Sequence, residues 1–371
     1  MHATSALAEA DRLMTVCNSC RYCEGLCAVF PAMEMRRGFP DGDLNYLANL
    51  CHGCGACFYD CQFAPPHEFN VNVPRVLAQV RAQSYPAYAW PPAFAGVFER
   101  NGLVIAIIAA LCVAAFLVGF VALHDPAAVF GAPVGPGAFY RLMPHWMMAA
   151  LFSAAFLYAL VAMAMSLRLF WRDTATPGEL PPDLRALWQA VADTGRLRYL
   201  DGGGSGCMNQ DERPADWRKL YHHLTFYGFL LCFAATVVAT LYHFLLGREA
   251  PYPWYDLPVV LGTVGGIGLV IGAAGLLAAK QRRDPALRDE LRRGMDVAFI
   301  VMLLMTGITG LALLVLRDTP AMGLLLALHL GVIFGFFITM PYGKFVHGLY
   351  RFVALVRYAR ERRQLATSGG G

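Results

Sequence analysis

Eight cysteines near the N-terminus form two runs with the same spacing. The runs are Cys17, Cys20, Cys23 and Cys27, followed by Cys51, Cys54, Cys57 and Cys61. Both read C-x2-C-x2-C-x3-C, which is the ligand spacing of a [4Fe–4S] cluster. Three thiolates on one tight turn can bind three irons of a cubane, and the fourth cysteine binds the other cluster. We therefore predict one cluster on Cys17, Cys20, Cys23 and Cys61, and a second on Cys51, Cys54, Cys57 and Cys27.

Two other uses of these cysteines are less consistent with the spacing. Zinc sites pair their ligands, typically as C-x2-C twice with a longer gap between the pairs. Disulfides need an oxidising compartment, and the charge distribution described below argues against one.

The composition outside the cysteine runs is that of a membrane protein. Of the 371 residues, 57% are hydrophobic and only 15% are charged, whereas a soluble domain carries about 25% charged residues. Six apolar runs are each close to the roughly 20 residues that span a bilayer. The predicted spans are Gly102–Leu123, Pro144–Leu167, His222–Leu246, Leu257–Ala279, Val297–Leu316 and Ala321–Tyr342. Arg and Lys do not cluster with aromatic residues, so no nucleic-acid partner is expected.

The positive charges predict the orientation of the spans. Of the 30 Lys and Arg residues, only Arg141, Arg248 and Arg317 fall in the three alternate loops. Cytoplasmic segments are enriched in positive charge. We therefore expect a multi-pass protein of the bacterial inner membrane whose N-terminus, cysteine runs and C-terminus are all cytoplasmic, where thiols stay reduced.

Histidines on two of the predicted spans suggest a second kind of cofactor. They are His222, His223 and His243 on the third span, and His329 and His347 on the sixth. Ionisable or metal-binding side chains inside a span are functional candidates. Such histidines can instead have an interfacial or packing role. We expect an interfacial role for His145 at the outer start of the second span.

Helix geometry predicts how these histidines would pair. His329 and His347 are 18 residues apart on the sixth span. That is five whole turns of a helix, so they share a face and lie ~27 Å apart along the axis. His222 and His243 lie ~31 Å apart with an offset of ~60°. The cytoplasmic pair would then be His222 or His223 with His347, and the outer pair His243 with His329. Two pairs at two depths could hold two bis-histidine b-type haems. Arg218, Lys344 and Arg351 lie at the cytoplasmic level and could bind haem propionates.

The soluble part is predicted to be helical. Residues 6–16 and 43–50 each read as a helix leading into a cysteine run, with Asp43 as N-cap. No alternating run predicts a β-hairpin, so the fold class is mainly α, with a helical two-cluster ferredoxin-like domain before a six-helix transmembrane bundle. Proline does not directly follow either fourth cysteine, unlike the usual bacterial pattern.

The predicted domain organisation follows from these features. It comprises the cluster domain 1–83, a linker 84–101, a membrane domain 102–350 with a cytoplasmic loop 168–221, and a basic tail 351–371. The loop is expected to hold a helix at Leu184–Tyr199 and a flexible glycine turn at Gly202–Gly206. Cys207 could be a reactive thiol or a bystander. Cys112 and Cys232 lie within spans and are expected to be packing residues.

These features together resemble the citrate/tricarballylate-utilization protein B family. The likeness rests on the twin cysteine runs, the six spans, and the stretches Gly202–Cys207 and Arg218–Gly228. The membrane part is also similar to the cytochrome b subunit of respiratory nitrate reductase, in which histidines of two spans bind haem. The later pair there has the separation of His329 and His347, and the choice between His222 and His223 stays open.

The resemblance implies an electron-transfer protein. It would move electrons between a soluble FAD-dependent dehydrogenase for tricarballylate or citrate and the membrane quinone pool. A subunit of the heterodisulfide-reductase type, which delivers electrons from quinol to a soluble partner, is an alternative. A transporter with a redox-sensing domain is disfavoured, because the predicted spans contain no Asp, Glu, Lys or Arg to bind a solute.

Overall fold

Fifteen α-helices and one short strand pair form the part of the chain that the structure, a computed structural model, describes. The described residues are 2–100, 102–132, 134–175, 183–204, 206–208, 214–215, 217–289 and 293–368. The helices are α1 (Ser5–Cys20), α2 (Val29–Glu34), α3 (Asp41–Leu50), α4 (Ala56–Tyr59), α5 (Val73–Ala87), α6 (Gly96–Glu99), α7 (Leu103–Leu123), α8 (Pro126–Val129), α9 (His145–Thr174), α10 (Leu184–Gly195), α11 (Trp217–Leu246), α12 (Leu257–Gln281), α13 (Arg293–Leu316), α14 (Met322–Thr339) and α15 (Val346–Ser368). Strands β1 (Cys207–Met208) and β2 (Pro214–Ala215) pair antiparallel. The predicted mainly α fold class is confirmed.

Some predicted segments extend outside the described residues. These are parts of the cytoplasmic loop 168–221, including Ser205 of the glycine turn, and the last residues of the tail, 369–371.

Six helices of the described chain are long and apolar enough to cross a membrane. They are α7, α9, α11, α12, α13, and α14 together with the turn that extends it to Tyr342. Each corresponds to one of the six predicted apolar runs. Large apolar side chains such as Leu111 and Leu241 are exposed on them, as lipid-facing positions require.

Glycines on α12 let the backbone of α11 approach closely. A Cβ atom on Gly272 would lie 2.5 Å from the main-chain nitrogen of Thr225, and one on Gly265 would lie 2.8 Å from the carbonyl oxygen of Gly228. Small residues permit such close packing of transmembrane helices. This contact fixes the position of α11, which carries His222.

The core of the cysteine domain is built from α1, α2, α3 and α5. Leu13, Phe30, Leu47 and Leu77 are almost completely buried within it. The prediction of Asp43 as an N-cap is wrong, because α3 begins at Asp41 and the cap position is Pro40. Asp43 lies in the first turn, where its carboxylate pairs with other partners.

The segment predicted as a linker is packed against the rest of the molecule. Helix α5 continues to Ala87, and both Tyr85 and Tyr88 are buried. The Tyr88 hydroxyl donates to Asp173 at the end of α9. Residues 84–93 therefore contribute aromatic core between the soluble and membrane parts rather than an open connection.

The predicted basic tail is also packed. Helix α15 begins at Val346, and Tyr350, Ala354 and Leu355 are buried. Arg357 of α15 binds Asp43 at 2.9 Å and lies over the ring of Tyr46, 4.3 Å from its centroid. The chain thus returns from the membrane to complete the core of the cysteine domain.

The assumption of a straight sixth helix is wrong. Helix α14 ends at Thr339, residues Met340–Tyr342 form a 3₁₀ turn, and α15 begins only at Val346. Pro341 has no amide hydrogen to continue the helical ladder. The spacing of His329 and His347 therefore does not place them on one continuous helix.

Candidate metal and cofactor site

The first group of thiols lies at the surface of the soluble domain. Cys17, Cys20, Cys23 and Cys61 line one cavity of about 250 Å³. Cys20 is exposed, and the neighbouring Tyr22 is 74% exposed. Burial, followed by the nearby thiols of Cys23 and Cys61, raises the pKa of Cys17 to about 12.

The second group of thiols lies deeper. Cys51 is buried, and Cys27, Cys54 and Cys57 are partly buried. Burial raises the pKa of Cys57 well above its ordinary value, and the thiols of Cys54, Cys27 and Cys51 raise it further. Cys27 thus lies close enough to the thiols of the second run to interact with them electrostatically.

Both groups suit a metal–sulfur cofactor chemically. Thiolates held close together repel one another, so a cation is needed to keep such a group deprotonated. Cys61 lines the same cavity as Cys17, Cys20 and Cys23, in agreement with the crossed grouping at the first site, and the assignment of Cys27 to the second site stays a prediction. That the thiols bind iron stays a prediction.

Two arginines join the second cysteine loop to the helices that carry His222 and His347. Arg218 lies one turn before His222 on α11 and donates to the carbonyl oxygens of Gly53 and His52, at 2.8 and 3.0 Å. Arg351 lies one turn after His347 on α15 and donates to the carbonyl oxygen of Cys51 at 2.7 Å. Each histidine is thus held beside the second thiol group by an arginine of its own helix.

Two further arginines contact the same loop. Arg81 donates to the carbonyl oxygen of Cys51 at 3.2 Å, and Arg283 donates to that of Gly53 at 3.2 Å. Burial, together with the positive charge of Arg218, lowers the pKa of Arg283 to about 10. A concentration of positive charge around buried thiols favours an anionic cofactor at this position.

His222 and His347 face each other across the junction of the membrane and soluble parts. Their ring centroids are 6.4 Å apart. Two metal–imidazole bonds of about 2 Å, with the distance from each nitrogen to its ring centre, add to a similar length. Nδ1 of His347 hydrogen-bonds the carbonyl oxygen of Lys344, which leaves Nε2 to act as a ligand. Among the described residues, Nδ1 of His222 is buried without a hydrogen-bond partner.

His223 points elsewhere. Its ring lies 5.9 Å from that of Tyr227, one turn along α11. The two candidates left open by the sequence are therefore distinguished by position, and His222 is the one that the structure brings to His347.

The outer histidines have other neighbours in the structure. The ring of His243 is stacked on that of His145, with centroids 3.5 Å apart. Two rings in direct contact leave no room for an iron atom between them. His329 instead hydrogen-bonds Thr309 of α13 through Nδ1 at 2.9 Å. The sequence predicted an interfacial role for His145 and did not indicate its stacking on His243, because residue spacing within one helix carries no information about its contacts with another helix.

The three cations expected near propionates have other partners in the structure. Arg218 and Arg351 contact the cysteine loop, and Lys344 binds Asp296 at 2.8 Å. Their role toward propionates stays a prediction.

His52 is a residue of the site that the sequence did not single out. It follows Cys51 directly and is buried, and its Nδ1 hydrogen-bonds the carbonyl oxygen of Leu50 at 2.9 Å. Burial lowers its pKa well below the ordinary value, helped by the charges of Arg351 and His222. It therefore belongs to the loop whose main-chain carbonyls accept hydrogen bonds from Arg218 and Arg351. Its position inside the second cysteine run was the available signal.

The molecule thus combines a helical domain with two groups of four thiols and a six-span membrane bundle with a buried histidine pair. Comparison with known families gives the same division. Residues 10–87 match the model of the citrate utilization protein B Fer4-like domain, and residues 98–368 match the model of citrate utilization protein B. The chain is 47% identical over 373 residues to citrate utilization protein B of Escherichia coli, covering 99% of this chain and 95% of that protein. The chain belongs to the citrate utilization protein B family. No solved structure matches it.

Proposed function

We propose that this chain is a membrane electron-transfer protein that connects a soluble FAD-dependent dehydrogenase to the quinone pool. The dehydrogenase would act on citrate, tricarballylate or a related acid, in keeping with the name of the relative. The two thiol groups would hold [4Fe–4S] clusters, and His222 and His347 would hold a b-type haem. These cofactors supply one-electron redox chemistry, and the chain supplies their positions and electrostatics.

The observation that carries this proposal is the connection between the histidine pair and the second cysteine loop. Arg218 and Arg351 each lie one helical turn from a histidine and bind main-chain carbonyls of that loop. A purely structural metal domain would have no need for this contact. Redox cofactors that exchange electrons must lie close together, and these two arginines keep their sites adjacent.

The different exposure of the two thiol groups supports an order of use. The first group lies around exposed Cys20, where a soluble partner can approach. The second belongs to the loop that Arg218 and Arg351 connect to the helices carrying His222 and His347. We therefore assign the first site to exchange with the soluble dehydrogenase and the second to exchange with the haem.

The membrane orientation belongs to the same proposal. The 27 positive residues on one side of the spans favour a cytoplasmic soluble domain. A cytoplasmic dehydrogenase could then reach the first thiol group.

A second haem on His243 and His329 remains the prediction from the sequence. In the structure the ring of His243 is stacked on that of His145. The haem content per protein distinguishes one haem from two.

Replacing the two facing histidines separately tests the proposal. We expect His222→Ala and His347→Ala to remove the same haem, and the double variant to lose no more than either single one, because both rings bind one iron. His223→Ala is the matched control and should retain that haem. The measurements are haem per protein and the reduced-minus-oxidised spectrum of the purified membrane protein. Loss of different haems in the two variants, or an unchanged spectrum in both, would contradict the proposed site.

A further inference from the structure

The glycine run of the cytoplasmic loop lies against both cysteine runs. It was expected to be a flexible turn. In the structure, a Cβ atom on Gly202 would lie 2.8 Å from the Cβ of Ala56 and 3.7 Å from Sγ of Cys54. A Cβ atom on Gly203 would lie 2.7 Å from the carbonyl oxygen of Gly25. Only residues without side chains fit this closely, so the glycines here serve close approach to the cysteine loops.

Apolar side chains anchor the same segment. Leu197, Leu200 and Cys207 are buried and form a small cluster with Cys54 packed against it. The Cys207 thiol donates to the carbonyl oxygen of Leu200 at 3.0 Å. Cys207 is therefore held beside the second thiol group but turned to a main-chain acceptor.

An ion pair connects the segment to the haem-site helix. Asp201 binds Lys219 of α11 at 2.6 Å, and Lys219 directly follows Arg218. The main-chain amide of Gly204 donates to the carbonyl oxygen of Asp201 at 3.2 Å. The segment is thus held by an internal main-chain hydrogen bond and by an ion pair to α11.

We propose that Leu197–Gly204 together with Cys207, here termed the cluster lid, forms a third wall of the second cluster site and excludes water and oxygen from it. This inference rests on the proposed binding of an iron–sulfur cluster by Cys27, Cys51, Cys54 and Cys57. The two cysteine runs form the other walls. The first thiol group has no equivalent cover in the described chain, since Cys20 is exposed.

The three consecutive glycines provide a matched set of variants. All three have positive φ, namely 60° at Gly202, 77° at Gly203 and 98° at Gly204, so alanine introduces backbone strain at each. Only Gly202 and Gly203 have atoms in the path of a new Cβ, and Gly204 has none within 4 Å. Gly204→Ala therefore controls for strain without collision.

Cys207 is a built-in reporter of lid opening. With the eight motif thiols bound to iron, the remaining thiols are Cys112 and Cys232 in the spans and the buried Cys207. A membrane-impermeant alkylating reagent applied to the anaerobic full-length protein in inverted vesicles should label Cys207 slowly in the wild type. Gly203→Ala should increase that rate at least tenfold, and Gly204→Ala should leave it close to the wild-type rate.

The decisive measurement is the survival of the two clusters in air, followed by EPR after timed exposure and reduction. In the wild type the first cluster should be lost faster than the second. Gly203→Ala should accelerate loss of the second cluster several-fold and leave the first unchanged, whereas Gly204→Ala should match the wild type. Leu200→Ala, which removes an apolar anchor without backbone strain, should act like Gly203→Ala if the latter does not accumulate.

Failure of the lid and failure of the proposed function give different results. The lid proposal is wrong if Cys207 becomes accessible while the second cluster decays no faster than in the wild type. It is also wrong if Cys207 stays protected in both Gly203→Ala and Leu200→Ala. If the wild-type protein contains no second-cluster EPR signal, the proposed cluster binding is wrong.

Discussion

At the scale of single residues, the cysteine spacing determines which thiols meet. The short gaps within each run keep three cysteines on one turn, and the longer last gap turns the fourth away. In the structure Cys61 lies with the first run and Cys27 with the second. The crossed arrangement ties the two runs together, so losing one fourth cysteine should affect the site of the opposite run.

Serine substitution of the two fourth cysteines tests this crossing. Cys27→Ser should weaken or remove the cluster that Cys54→Ser removes, and Cys61→Ser should affect the cluster that Cys20→Ser removes, since each pair shares one site. EPR of the reduced protein and iron per protein provide the measurement, with the haem spectrum as internal control. Grouping of Cys27→Ser with Cys20→Ser would show that the runs bind their clusters without crossing.

Several site residues could be predicted at this scale and others could not. The eight cysteines could be predicted because short-range spacing carries their signal. His347 was a candidate because it was assigned to the sixth span, although the structure places it on α15, beyond that span. His222 could be predicted only as one of two adjacent candidates, the other being His223. Arg81 and Arg283 reach the second loop from positions 30 and 230 residues away. Such contacts depend on tertiary packing, which leaves no local pattern.

At the scale of helices, the glycine face of α12 sets the position of α11, the helix that carries His222. A Cβ atom on Gly275 would lie 2.3 Å from the ring of Tyr221, the residue preceding His222. The Gly272 contact with Thr225 lies one turn further along. Because the obstructing atom at Gly272 belongs to the main chain, a side chain there must displace α11 as a whole.

Gly272→Ala should therefore destabilise the protein by about 1–3 kcal/mol, the usual effect of overpacking, and lower the haem content. Gly119→Ala is the control, because Gly119 lies within α7 with no atom within 4 Å of a new Cβ. Thermal stability in detergent and haem per protein would be compared for both variants. Equal behaviour of the two variants would mean that the α11–α12 contact does not position the haem site.

The helices themselves could be predicted better than their interruptions. Runs of apolar residues near the length of a bilayer are a strong signal, and all six candidate spans were anticipated. The interruption at residues 340–345 was missed because the apolar run continues through Pro341 to Tyr342, so Pro341 and Gly343 were not recognised as a helix end. The interruption removes the shared helix face expected for His329 and His347, and the pairing of His243 with His329 stays a prediction.

At the scale of the whole molecule, the soluble N-terminal domain and the last helix of the chain pack together. Arg36 of the soluble domain binds Glu361 of α15 at 2.7 Å, and both residues are largely buried. The two ends of the chain must consequently lie on the same side of the membrane. Six spans satisfy this requirement, and an odd number would not.

Reporter fusions test the orientation of the spans and also the location of the two chain ends on one side of the membrane. A reporter fused after Gly371 should be active only on the cytoplasmic side, and one inserted near Pro136, between α8 and α9, only on the outer side. The expectation follows from the distribution of positive charge and from the packing of α15 on the soluble domain. Activity of both fusions on one side would break the six-span topology.

The return of α15 to the soluble domain also has a consequence for the order of synthesis. Domains near the N-terminus generally fold while the rest of the chain is still being made. Here the fully buried Tyr46 meets Arg357 only after all six spans have been translated. We expect nascent chains that stop before α15 to expose part of the cysteine domain's core. Maturation of the metal centres would then follow completion of the membrane part, so that a half-made protein does not carry reactive iron.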